Sequence, residues 1–243
     1  MKLVIAMSLF FITNAFVNIN ICGNGIYLPY YMGVLGCIKK NYPISNYSIT
    51  GISGGALCSL LYTQEKDLSN HDKLWDMTIG KNISVISLHT NIKRVRQQIE
   101  SNLKLRYSGI KNVVSENISI ISSNVGNFYE IKSEMISSFD NINDLIDYSL
   151  CSSYIPYISG SNFSKYYNGG NYIDGQVTYE NIELSDDKTL YLHKGMWDRD
   201  FSNMNNLLLS KSESKKLFEY GWNDTNKNKE IILRYSNNKS SQK

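Results

Sequence analysis

The sequence predicts an α/β domain built on a mainly parallel sheet, and three observations predict it. The first third reads strand, glycine turn, helix, twice over, a βαβα order that buries a parallel sheet beneath its crossover helices. Hydrophobic residues make up 42% and charged residues 19%, the balance of a packed core and not of a disordered chain. The length of 243 residues suits one substantial domain and is short for two, and no repeat or linker divides it.

In chain order, Lys2 precedes an apolar run over residues 3–12, closed by Thr13-Asn14-Ala15. Residues 1–15 therefore read as a signal peptide or a hydrophobic leader, too short to span a bilayer comfortably. A cleaved signal would send the protein to the secretory pathway or a membrane; otherwise it is expected in the cytoplasm. The domain is expected over residues 16–222. Residues 16–22 (FVNINIC) alternate with the period of a strand and run into the turn Gly23-Asn24-Gly25. Pro29 suits a first helical turn, and residues 30–40 continue that helix. A β-branched strand over 48–50 ends in Gly51-Ile52-Ser53-Gly54-Gly55, and residues 56–63 (ALCSLLYT) favour a helix.

Residues 68–79 and 91–107 read as helices. The second carries Ile92, Val95, Ile99 and Leu103 on one face, with Lys93, Arg94, Arg96, Lys104 and Arg106 around it. That pattern fits a core-facing helix with a solvated side, and also a basic surface meeting anionic lipid; the 61–115 region is the candidate lid or membrane contact. Strands are expected at 117–122 and 127–132, a helix at 143–152, and a loop at 159–170. A short strand at 171–173 ends at Asp174-Gly175. A strand at 189–193 and a helix at 210–221 follow, and 223–243 reads as a polar, frayed tail.

Charge and cysteine content exclude some functions. Lys plus Arg is 25 against 22 for Asp plus Glu, with no basic stripe, so nucleic acid is not an expected partner. Cys22, Cys37, Cys58 and Cys151 sit among apolar or small residues without metal-site spacing, as buried thiols do. No metal and no cofactor are expected.

Gly51-x-Ser53-x-Gly55 has the form of a nucleophile elbow. A serine on a tight strand-to-helix turn needs small neighbours, and the N–H of Gly54 behind it can stabilise an oxyanion. Gly23-Asn24-Gly25 is a second glycine turn at the carboxyl edge of the same sheet, where ligands of α/β proteins bind. The serine needs a base, and the only histidines are His71, His89 and His193. Ser53, Asp174 and His193 can be written as a triad in α/β-hydrolase order. However, His193 ends a strand-like run, and too few strands precede the elbow for that fold. Asp174, at a strand end before a glycine, is the better-placed base.

Together, Gly23-Asn24-Gly25, Gly33-Val34-Leu35, Gly51-Ile52-Ser53-Gly54-Gly55-Ala56 and Asp174-Gly175 resemble the patatin-like phospholipases. The stretch Cys151-Ser152-Ser153-Tyr154-Ile155-Pro156 with Tyr172-Ile173-Asp174-Gly175 is similar to the adiponutrin branch. The resemblance implies a three-layer α/β/α patatin-like fold and a Ser53–Asp174 dyad without histidine. It also implies an oxyanion hole from the amides of Gly23, Asn24 and Gly25. The implied reaction is metal-free hydrolysis of phospholipid or acylglycerol esters at a membrane or lipid-droplet surface. Three features depart from the family pattern: Asn24 replaces a glycine, Tyr27-Leu28 stand where a basic residue and glycine are usual, and Gln176 replaces Gly or Ala. The alternatives are a lipid-binding member without turnover and a small-ester hydrolase using Ser53, Asp174 and His193.

Overall fold

The computed structural model describes residues 16–108, 116–126, 130–179, 188–202, 204 and 207–236. The leader at 1–15 lies outside them.

Strand β1 (Val17–Ile21) buries Val17, Ile19 and Ile21, as its alternation requires. After a 3-10 turn at Gly25–Tyr27, helix α1 (Leu28–Asn41) begins with Pro29 in its first turn and is buried from Pro29 to Ile38. Strand β2 (Tyr47–Ile52) pairs in parallel with β1, and Ser53 leads straight into α2 (Gly54–Gln64). Helix α3 (His71–Thr78) is capped by Asn70, whose side chain accepts from the Lys73 N–H. Strand β3 (Val85–Ser87), helix α4 (Ile92–Tyr107), strands β4 (Ile118–Val125) and β5 (Ile131–Ile136) and helix α5 (Ile142–Ser152) follow. Then come β6 (Lys165–Tyr167), β7 (Gly170–Ile173), β8 (Thr189–Leu192), β9 (Leu208–Ser210), α6 (Lys211–Lys227) and α7 (Lys229–Ser236).

The protein is a mixed α/β structure. Four parallel strands in the order β8-β1-β2-β4 form the centre of the sheet, and helices flank it. Antiparallel β5, β6 and β7 extend it, while β3 and β9 pair separately. This arrangement is compatible with the expected three layers.

The register of β4 creates the site. Its residues Ile120–Val125 pair with β5 along one edge. The opposite edge carries β2 against Ile118–Ile121 and then β7 against Ser123 and Asn124. Strand β2 runs up that edge and antiparallel β7 runs down it, so their ends meet at Ser122. The residues that follow each strand, Ser53 and Asp174, come face to face.

Several expectations need correction. The strand expected at 127–132 runs from Ile131 to Ile136; residues 127–129 lie outside the described ones. As an outer strand paired only to β4 among the described residues, β5 buries none of its side chains fully, so its sequence carries little periodicity. The loop at 159–170 contains β6, and β9 was not foreseen; each has only three residues. The frayed tail is also wrong as far as residue 236. Helix α6 continues to Lys227 and α7 follows, burying Asp224, Thr225 and Ile232. Arg199 Nη2 and Nε donate to Asp224 at 2.5 Å each, and the Tyr30 hydroxyl donates to it at 2.9 Å. A polar sequence hid a helix whose buried carboxylate is fully partnered. Helices α1 and α6 approach closely at two glycines, where a Cβ on Gly33 would lie 2.0 Å from Phe218 O and one on Gly221 would lie 2.0 Å from Tyr30 O.

Helix α4 buries Val95, Leu103 and Tyr107, and Ile92 and Ile99 pack inward beside Trp75 and Ile79. Its apolar face is therefore core-facing, while Lys93 and Arg94 remain exposed. Among the described residues no helix is long and apolar enough to cross a membrane.

Candidate active site

The Ser53 hydroxyl donates to Asp174 Oδ2 at 2.7 Å, and both residues are buried, at 8% and 9% exposure. Ser53 has φ 57° and ψ −125°, a backbone conformation that costs a non-glycine residue about 1–3 kcal/mol. The surroundings enforce it. The Ser53 N–H donates to Ser152 Oγ at 2.8 Å, and the Ser152 hydroxyl donates to Ile121 O at 2.5 Å. The glycines beside the serine are steric necessities: a Cβ on Gly51 would lie 2.5 Å from Gly55 O, and one on Gly55 would lie 2.3 Å from Ile21 O.

Asp174 is held at three points besides Ser53. Its N–H donates to Tyr154 O at 2.7 Å, its carbonyl accepts from the Ser123 hydroxyl at 2.8 Å, and its Oδ1 accepts from the Gln176 N–H at 2.9 Å. Burial pushes its carboxyl above the usual range, opposed by the bonds from Ser53 and Gln176 and by the charge of Arg96. A carboxylate so raised is a better proton acceptor than an exposed one.

The glycine turn adjoins the serine. Gly25 and Gly54 both line the cavity in front of Ser53, and a Cβ on Gly54 would lie 3.5 Å from Gly25 N. Their N–H groups have no acceptor among the described residues and are suited to receive an oxyanion. Asn24 is buried, with its Nδ2 donating to Cys58 Sγ at 3.7 Å. Gly23 differs from the expectation: its N–H donates to Gln176 Oε1 at 3.0 Å. One of the three expected turn amides is thus engaged by the side chain that departs from the family pattern.

The cavity measures about 450 Å3 and runs from Ser53 and Asp174 into apolar surroundings that include Leu57, Trp75, Ile86, Ile99 and Phe218. Elements α1, α2, α3, β3, α4, β9 and α6 all contribute to its wall. Its volume is within the range of small-molecule sites. None of the histidines bonds to the dyad. His193 is exposed with its Nδ1 accepting from the Gly195 N–H at 3.3 Å, His89 is exposed, and His71 Nε2 lies 2.7 Å from Ser214 Oγ. The geometry thus gives the Ser53–Asp174–His193 triad no bond to its histidine. Among the described residues no group of three or more His, Cys, Asp or Glu side chains is placed to hold a metal.

No protein-family model matches the chain. No curated protein matches it either.

Sequence reasoning did not single out Ser152, Arg96 or Lys194. Ser152 lies in the Cys151–Pro156 stretch, but nothing in its spacing announces that it holds the elbow. Arg96 was read as one charge of an amphipathic face. Instead Nη1 donates to Ser153 O at 2.6 Å and Ser153 Oγ at 3.1 Å, and Nη2 donates to Leu150 O at 2.7 Å.

Proposed function

We propose that this protein is a serine lipid acyl hydrolase of the patatin-like type, with Ser53 as nucleophile and Asp174 as its base. The observation that carries the reading is the 2.7 Å Ser53–Asp174 hydrogen bond on a strained turn at the head of an apolar cavity. The parallel sheet flanked by helices agrees with the three-layer fold that reading requires.

In the proposed reaction, Ser53 Oγ attacks the ester carbonyl carbon while its proton passes to Asp174. The N–H groups of Gly25 and Gly54 receive the developing oxyanion. Collapse breaks the bond to the alcohol oxygen, which takes the proton from Asp174. Water then attacks the acyl-serine, giving Asp174 a proton that returns to Ser53 as the fatty acid leaves. The cavity holds the acyl chain, and the substrate is a phospholipid or acylglycerol presented at a membrane or lipid-droplet surface. The test is fatty-acid release from mixed phospholipid and triacylglycerol vesicles. Release is expected from the wild type and lost in Ser53→Ala and Asp174→Ala; release that persists in folded Ser53→Ala contradicts the reading.

A second reading is favoured by one observation. The Gly23 N–H is engaged by Gln176, which suits a lipid-binding protein without turnover if that amide is required. Absence of release from wild type, with release restored in Gln176→Gly, would support it.

A further inference from the structure

We infer that Arg96 and Lys194 form an anion subsite beside the dyad that selects lipids carrying a phosphate monoester over neutral acylglycerols. The inference rests on the hydrolase reading and deepens it by naming the substrate class.

Asp174 is the only acidic side chain among the cavity-lining residues described, whereas Arg96 and Lys194 both line it. Arg96 is tied to the end of α5 through Ser153 O, next to the Ser152 hydroxyl that holds the Ser53 N–H. Lys194 lies over the Tyr27 ring, 4.7 Å from its centroid, and Tyr27 in turn donates its N–H to Asn24 O in the glycine turn.

Neither cation has a carboxylate within salt-bridge distance among the described residues. The nearby Glu100 is engaged by Lys104 and Lys165. Arg96 also has unspent hydrogen-bonding capacity. A guanidinium carries five N–H donors; three are used on Ser153 O, Ser153 Oγ and Leu150 O, all neutral acceptors. The Nε–H and one Nη2–H have no acceptor among the described residues. An Nε–H and the Nη–H beside it lie in the guanidinium plane along one edge, the fork that binds phosphate oxygens in pairs.

The ionised Asp174 partly balances the charge of Arg96, and a partly buried cation left without a counter-ion is unfavourable. The nearest candidate, Asp174, is neutralised each time it takes the Ser53 proton. A phosphate monoester carries a charge of about −1.5 to −2 near pH 7, matching the two cations. On a glycerol backbone it lies within a few bonds of the ester carbonyl, whereas the acyl chain enters the apolar cavity. The ligand chemistry is therefore a phosphate dianion, available as a phosphatidate headgroup or as free phosphate.

The test compares release from phosphatidate and from diacylglycerol in the same detergent micelles, with inorganic phosphate as competitor. Wild type is expected to prefer phosphatidate, and the phosphatidate-to-diacylglycerol rate ratio is expected to fall about tenfold in Arg96→Gln. A smaller fall is expected in exposed Lys194→Gln, which covers the case that Arg96→Gln does not fold. Equal wild-type rates on the two lipids, with a ratio that Lys194→Gln does not change, overturn the inference while leaving the hydrolase reading intact. Strong inhibition by inorganic phosphate without phosphatidate preference assigns the subsite to free phosphate and also overturns it. Binding of Ser53→Ala to phosphatidate micelles supplies the separating arm. If wild type releases nothing but Ser53→Ala binds phosphatidate through Arg96 and Lys194, the subsite stands and the hydrolase reading falls. If it does not bind, both fall.

Discussion

Replacing Gly55 with alanine tests how the elbow is built. The added Cβ would lie 2.3 Å from Ile21 O and 2.9 Å from Cys22 O, both backbone atoms. Favourable carbon–oxygen contacts begin at about 3.3 Å, so α2 and β1 must separate by about 1 Å. Ile21 cannot yield alone, because it pairs with Gly51 on one side and Leu192 on the other. Such overpacking costs about 1–3 kcal/mol, or several degrees of Tm for a chain of this size. The same shift moves Ser53 away from the Gly25 amide, and a displacement of about 1 Å at a reacting centre costs on the order of a hundredfold in rate. Thermal denaturation and fatty-acid release at saturating lipid read the two effects. Gly25→Ala is the stability control: its Cβ would meet nothing within 4 Å, but its φ of +49° imposes about 1–2 kcal/mol of backbone strain. A Gly55→Ala protein with wild-type Tm and wild-type release would refute the close-approach argument.

Four other outcomes are expected. Because burial raises the Asp174 carboxyl, release should fall with decreasing pH through a midpoint above the ordinary carboxylate value of about 3.9. A folded-state pKa above the unfolded one means the ionised form costs stability; Asp174→Asn should therefore raise Tm at neutral pH, with the gain vanishing as pH falls below the unfolded value, as melts across pH would read. At Asp224 the sign is opposite: burial raises the carboxyl, but the bonds from Arg199 and Tyr30 outweigh it and hold it low. Asp224→Ala should cost about 3 kcal/mol in urea titrations at neutral pH by stranding Arg199, and the difference from wild type should shrink as acid protonates Asp224. Leu57 lines the cavity, so Leu57→Trp should depress release of long acyl chains about tenfold while sparing a short-chain ester, measured as a ratio of rates.

The parts of the fold legible in the sequence were those with strong local signals. Val17, Ile19 and Ile21 alternate because β1 is a core strand, and glycine clusters marked both turns: backbone passes within 2.5 Å of where side chains on Gly51 and Gly55 would stand, and Gly25 holds a φ of +49°. Asp174 was legible as a strand-end carboxylate before Gly175, but its meeting with Ser53 depends on β2 and β7 sharing one edge of β4, a long-range register without local signature. The cavity was equally hidden, since Leu57, Trp75, Ile86 and Phe218 come from four separate elements. The end of α6 was missed because Asp224 and Thr225 look like surface residues until Arg199, Tyr30 and the Gly221 carbonyl are seen to bond them. Gln176 stood out as a departure, yet only the fold reveals its bond to the Gly23 N–H.

The most direct test of the central claim is labelling of Ser53 by a fluorophosphonate, read by mass spectrometry of the peptide that contains it. The account predicts one phosphonyl group per chain on Ser53, at a rate that falls sharply in Asp174→Asn and is little changed in His193→Ala. Wild-type labelling that survives Asp174→Asn, or that disappears in His193→Ala, would contradict the Ser53–Asp174 dyad.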